Sequence, residues 1–446
     1  MPRDRRAPGD AGGLLLRRIA ASAFARHVGL LVSGAALGHG LTALAAPILG
    51  RLYTPTEFGL LALFTALVAI LAEAASWRYE LAIVLPADDE DARTLVALAG
   101  LVVIAMALAS LAAVALAGDA LARVLESPAL APYLWWLPPA LLVIGLYRVL
   151  SYWATRKRAY RRLSAAQIAR SLTAATVQLA TGLLGFQAGG LIGGRVAGET
   201  GALAALGGLF CRRGGRPPLP HPMRIDSLRR LAREYADFPK FSLPQGFVNA
   251  VSQSMPAFLL AYFFDAHIVG LYAMAHRLLH LPARFIGQAV RQVFLQQASE
   301  RLQQAGDLRR LHLQTTLALA GLGFFPALIV LLWGPELFAL FLGDAWQAAG
   351  GYARWMVLWL FFAFINPPST VLMQVLRRQQ ILLIFDLALF ACRTGLLVYA
   401  GLRMSAETAI AAFSLAGAVF NAALIVGMLI YGRRARLSAP VDPQAT

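Results

Sequence analysis

Residues Thr94–Gly118 read TLVALAGLVVIAMALASLAAVALAG, an apolar run without a single Asp, Glu, Lys or Arg. A helix of about 20 such residues crosses the hydrocarbon core of a bilayer, ~30 Å thick. The pattern recurs at His27–Gly50, Ser127–Tyr147, Ser171–Gly194, Phe241–Phe264, Leu313–Pro335, Trp355–Leu376 and Thr408–Gly432. A soluble chain has no use for so many uncharged stretches of this length. The reading is an all-α polytopic membrane protein, and its function is to be sought in what crosses the membrane.

Composition agrees. Hydrophobic residues make up 59% and charged ones 14%, against about a quarter charged in soluble proteins. The net charge of +17 does not point to nucleic acid, because the basic residues flank apolar spans and form no separate soluble domain. Arg-rich cytoplasmic loops account for it. Cys211 and Cys392 stand alone, with no metal spacing or disulfide framework. Neither a cofactor nor a metal is expected. Asp88–Asp91 is the candidate metal cluster, read as a solvated loop.

About twelve spans fit: near 28–50, 58–77, 94–118, 133–154, 170–187, 189–210, 241–264, 268–293, 313–334, 353–376, 380–402 and 408–431. The Arg-rich segment 1–27 reads as a cytoplasmic amphipathic helix. With that end inside, the cytoplasmic loops hold Arg156-Lys157-Arg158, Arg161, Arg162, the Arg212–Arg233 segment, Arg309, Arg310, Arg377-Arg378 and the tail 433–446. The outer loops hold only Arg51, Arg123, Arg354 and Arg403. Asp88–Asp91 would lie inside, which runs against this balance. The stretch 212–240, with Arg216-Pro217-Pro218-Leu219-Pro220, reads as a stiff linker between two six-helix lobes, 28–211 and 241–432, around a central cavity. A faint internal echo, Gly59-Leu60 against Gly270-Leu271, supports a two-fold repeat of the kind transporters use.

Ionisable side chains at mid-bilayer cost roughly 2.5–3.5 kcal/mol each, so they are candidate site residues. Arg277, Arg284 and Arg291 recur every seven residues with His280 between the first two. They form one helical stripe about 21 Å long, a cationic rail suited to a diphosphate. Arg78 and Glu80 end the second span, where they could grip a head group or anchor the interface. Glu73 and His39 are candidates for ion coupling, against the plainer roles of ion pairing and packing. Arg195/Glu199 and Asp386/Arg393 read as local ion pairs. Pro244 and Pro256 kink the seventh span beside Gln245, Asn249 and Gln253, so it reads as lining a wet path. P-loop, H-E-x-x-H and G-x-S-x-G motifs are absent, so no enzymatic chemistry is expected.

The stretch from Leu49, LGRLYTPTEFGLLALFTALVAILAEAASWRYELAIVLP, resembles the amino-terminal signature of bacterial oligosaccharide flippases, the polysaccharide branch of the multidrug/oligosaccharidyl-lipid/polysaccharide exporter superfamily. The blocks from Phe238, FPKFSLPQGFVNAVSQSMPAFLLAYFF, and from Gly270, GLYAMAHRLLHLPARFIGQAVRQVFLQQASE, are similar to that family's seventh and eighth spans. This resemblance implies alternating access around a cationic cavity in the bacterial inner membrane. The implied substrate is an undecaprenyl-diphosphate-linked glycan, gripped at positions matching Arg78, Arg277 and Arg284. Membrane lipids, a polysaccharide polymerase and export components are the implied partners; nucleic acid is not. Rival readings are an ion-coupled drug/cation antiporter of the same superfamily and a non-transporting scaffold of an assembly complex.

Overall fold

The computed structural model describes residue 38 and residues 40–211, 224–304, 307–376 and 378–434. Helices dominate: α1 (Gly40–Leu52), α2 (Pro55–Ala74), α3 (Asp89–Val124), α4 (Leu137–Arg156), α5 (Tyr160–Leu183), α6 (Gln187–Cys211) and α7 (Ile225–Glu234). They are followed by α8 (Leu243–Phe263), α9 (Ala266–Gln303), α10 (Leu308–Leu342), α11 (Gln347–Ile365), α12 (Pro367–Val375), α13 (Gln379–Arg403) and α14 (Ala406–Arg434). No strand occurs among the described residues. The protein is an all-α polytopic membrane protein. Seven stretches among the described residues are long and apolar enough to cross a membrane. Helices α5, α6, α8 and α9 are not among them, and they carry many of the polar groups described below.

Within the amino-terminal half, α3 packs on α4, α4 on α6, and α5 on α6. Within the carboxy-terminal half, α9 packs on α11, α10 on α11, and α14 on α11 and α13. The seam between halves runs along α2, which touches both α8 and α9. Both partners start alike. Thr54 caps α2 in a capping box with Glu57, Pro55 follows, and Asp265 caps α9 by accepting from the Ile268 N–H at 2.8 Å. Such caps satisfy otherwise orphaned amides. Gly59 lies five residues after the first cap and Gly270 five after the second. These two glycines face each other: Gly59 abuts the Ala266 carbonyl and the Gly270 nitrogen, while Gly270 abuts the Pro55 carbonyl and the Gly59 nitrogen. The sequence echo marks a backbone crossing too close for any Cβ. At this end Trp346 also donates to the Gly50 carbonyl at 2.7 Å and meets Phe58 edge to face at 5.2 Å.

The opposite end corrects two expectations. The linker is not extended throughout: from Ile225 it forms α7, whose Leu231 is buried and whose Ala232 carbonyl accepts from the Tyr79 hydroxyl at 3.1 Å. The Pro-rich piece itself lies outside the described residues. The acidic run is engaged by cations: Asp89 pairs with Arg156 at 3.1 Å and with Lys157, and Asp91 pairs with Arg230 at 2.6 Å. That is why a carboxylate cluster sits comfortably among arginine-rich loops.

Pro367-Pro368 breaks the tenth span in two. The side chain of Asn366, at the break, donates to Asn421 at 2.7 Å in the buried interior. Proline has no N–H to continue the helical bonding, so α11 ends at Ile365 and α12 starts afresh at Pro367.

Candidate functional site

The turn after α2 builds the first part of the site. Trp77 (φ 50°) and Arg78 (φ 64°) both adopt the left-handed region, which costs a residue with a Cβ roughly 1–2 kcal/mol. The turn folds Arg78 back onto Glu73, with which it forms an ion pair. Arg148 of α4 reaches the other Glu73 oxygen at 3.3 Å and donates to the Ala72 carbonyl at 2.7 Å. One carboxylate therefore holds two guanidinium groups. Gly246 of α8 lies directly against the Arg78–Glu73 pair and leaves no room for a Cβ, so the pair sits on the seam. Glu80 is buried and accepts from the Ser76 hydroxyl; it belongs to the wall, not to an open mouth. Tyr152 lies within the field of Glu73, Arg78, Glu80 and Arg148.

A second group repeats this design on α5 and α6. Glu199 takes Arg170 on one oxygen at 3.0 Å and Arg195 on the other at 3.5 Å. Arg170 also lies over the Tyr147 ring, 4.3 Å from its centre. The local Arg195–Glu199 pair expected from spacing is present, with Arg170 added from the neighbouring helix. Arg148, Arg170, Arg195 and Glu199 line a cavity of about 270 Å³ together with Thr65, Val68 and Ala72 of α2.

Across the seam, Arg277 of α9 forms no ion pair among the described residues. His276, beside it, stacks between Tyr272 and Trp359 and meets His280 edge to face at 4.9 Å. Arg393 is clamped between Trp359 (4.3 Å) and Phe413 (3.6 Å) and donates to the Phe413 carbonyl. The expected Asp386–Arg393 pair does not form. Seven residues span about 10.5 Å along a helix, too far for contact, and aromatic faces hold the cation instead. Arg284 lies on α9, in a stretch whose side chains are outside the described residues, as does His39 altogether. Helix α9 runs unbroken from Ala266 to Gln303, so the heptad spacing of Arg277, Arg284 and Arg291 is realised on one helix.

The expected residues Arg78 and Glu73 are thus brought together, and Arg277 lies on α9, the helix that crosses α2. Arg148 and Arg170 escaped the sequence reading. The signal for Arg148 was present, an arginine inside the apolar fourth span. Arg170 was taken as a span boundary, whereas α5 begins ten residues earlier, at Tyr160.

A sequence family described as polysaccharide biosynthesis protein matches residues 48–350. The chain belongs to this family. Solved structures share the fold. The lipid II flippase MurJ in an inward closed conformation superposes with a TM-score of 0.64 at 13% identity over 90% of each chain. An inward-facing multidrug resistance MATE transporter of the MOP superfamily gives 0.56 at 14% identity, over 92% of this chain and 94% of that one. An outward-facing MATE transporter gives 0.52 at 14%, over 92% and 96%. No curated protein matches. The family membership agrees with the resemblance drawn from the three sequence blocks, and the fold is shared with these solved structures.

Proposed function

We propose that this member of the polysaccharide biosynthesis family is an inner-membrane flippase that carries undecaprenyl-diphosphate-linked oligosaccharide repeat units to the outer leaflet by alternating access. The observation that carries the reading is the charge at the seam. Four arginines, Arg78, Arg148, Arg170 and Arg195, pair with two carboxylates, Glu73 and Glu199, while Arg277 of the other half and the buried Glu80 stand outside these pairs. The formal surplus of two positive charges suits a diphosphate diester, which carries two negative ones. Guanidinium groups bind such oxygens through paired N–H donors and stay charged at any working pH. A cavity for cationic drugs would want the opposite sign, so the antiporter reading is disfavoured.

In this proposal the lobes 28–211 and 241–432 rock about the α2–α9 crossing, both termini lie in the cytoplasm, and the Arg-rich loop end faces inward. The chain performs no bond chemistry and works beside polymerase and export components. A coupling role for Glu73 requires it to leave both of its arginines as it takes a proton. If it does so, Glu73→Gln export becomes indifferent to a pH gradient.

The test is transport. Purified protein is placed in liposomes carrying a fluorescent undecaprenyl-diphosphate oligosaccharide, and probe exposed to an outside quencher is measured. Protein-dependent exposure is expected. Its absence, with ion gradients and the native glycan supplied, would overturn the flippase reading in favour of an antiporter or scaffold.

A further inference from the structure

Glu199 differs from its two partners in how it is held. It sits on α6 among glycines packed hard against α5: a Cβ at Gly198 would meet the Arg170 carbonyl and Ala174 at 2.8 Å, and one at Gly201 the Thr173 hydroxyl at 2.5 Å. The carboxylate is therefore presented from a backbone face that cannot shift, and it is itself almost fully buried. Its two guanidinium partners are not equivalent. Arg170 makes the shorter contact and rests on the Tyr147 ring. Arg195 makes the longer one, 3.5 Å, and its side chain is 44% exposed toward the cavity.

Arg195 also points toward the seam. Gly59 and Gly270 cross at one end, and Arg277 lies seven residues beyond Gly270 on α9. Thr65 and Val68, which line the Arg195 cavity, lie six and nine residues beyond Gly59 on α2. Both helices therefore reach the same depth about two turns from their crossing. Arg277 lies seven residues from Gly270, so it falls near the face of α9 that meets α2, the helix that also lines the Arg195 cavity.

Resting on the diphosphate reading, we propose that Glu199 is a built-in counter-anion, and that a diphosphate displaces it from Arg195 to be shared between Arg195 of one half and Arg277 of the other. In the empty site Glu199 holds Arg195 in place and partly neutralises it. When the anion arrives, Arg195 swings from Glu199 to the ligand while Arg170 stays on the carboxylate. The ligand then bridges an arginine of each half, so occupancy itself draws the halves together. A ligand shifts such an equilibrium only by differential interaction with the two states, and the bridge supplies that difference. Glu199 also sets selectivity: an anion with a single charge competes poorly with a carboxylate already in place.

The experiment is calorimetric titration of the purified, monodisperse full chain with inorganic pyrophosphate at low salt, in wild type, Glu199→Gln, Arg195→Gln and the double variant. Removing the competitor should tighten pyrophosphate binding about tenfold in Glu199→Gln. The gain should vanish in the Arg195→Gln background, because the coupling runs through that side chain. Glu199→Asp, which retracts the carboxylate by one methylene, should give a smaller gain in the same direction, and it carries the test if Glu199→Gln does not fold. Equal affinity in wild type and the Glu199 variants overturns the counter-anion while leaving the diphosphate reading standing. No binding in any of them overturns both.

Discussion

At the residue scale, the design unit is one carboxylate holding two arginines, used once at Glu73 and again at Glu199. A lone cation in the apolar interior is expensive, and so is a lone anion; pairing two to one leaves a positive residue at tolerable cost. Glu73→Gln removes the shared charge from Arg78 and Arg148 together. It should lower the melting temperature of the detergent-solubilised protein, consistent with a loss of about 1–3 kcal/mol for partly buried charged hydrogen bonds; an unchanged melting temperature would show that the pairs are incidental. The Asn366–Asn421 bond is of another kind, a neutral interhelical contact of 2.7 Å. Asn366→Leu should cost about 0.6–2 kcal/mol, the range for such bonds between membrane helices, read from equilibrium unfolding in mixed micelles.

At the element scale, the α2–α9 crossing is the closest approach between the two halves. Gly59 and Gly270 each press on the other helix's backbone carbonyl, a contact that only a residue without a side chain permits. Gly59→Val or Gly270→Val should force the helices apart at the Thr54–Asp265 end. The expected result is protein that inserts in the membrane at normal level but no longer exports, with cysteines placed at Phe58 and Trp346 becoming reactive to a water-soluble maleimide. Normal export by either variant would dismiss the crossing as a pivot. The α11–α12 break and the continuous α8 offer a second lesson: Pro367-Pro368 interrupts a helix at Asn366, whereas Pro256, read from sequence as a kink, lies inside a continuous α8. Which outcome a proline has depends on neighbours that supply or fail to supply a donor.

At the scale of the whole molecule, the Glu73 and Glu199 groups leave a local positive balance beside the seam, four arginines on two carboxylates. Arg277→Ala with Arg284→Ala should abolish export of lipid-linked glycan at normal protein level, and the Lys versions should restore part of it, since charge survives but the forked geometry does not. Wild-type export from the double Ala variant would remove α9 from the site. Export measured by surface polysaccharide in a strain lacking its own flippase is the readout.

The helical class, the apolar membrane-crossing stretches and the family were legible in the sequence, because the bilayer imposes a local rule: about twenty apolar residues per crossing. That Arg277, Arg284 and Arg291 share one helix was legible too, since heptad spacing is a one-dimensional property. Partners were not. That Arg148 turns to Glu73, that Arg170 joins Arg195 on Glu199, that Arg393 is held by Trp359 and Phe413 and not by Asp386, and that Gly59 meets Gly270 all depend on which helices lie side by side. Contacts between residues far apart in the chain arise from packing of whole helices, which local patterns do not encode. The sequence by itself determined the helical, membrane-crossing class, because that follows from local apolar runs; only the tertiary structure decided which charges pair.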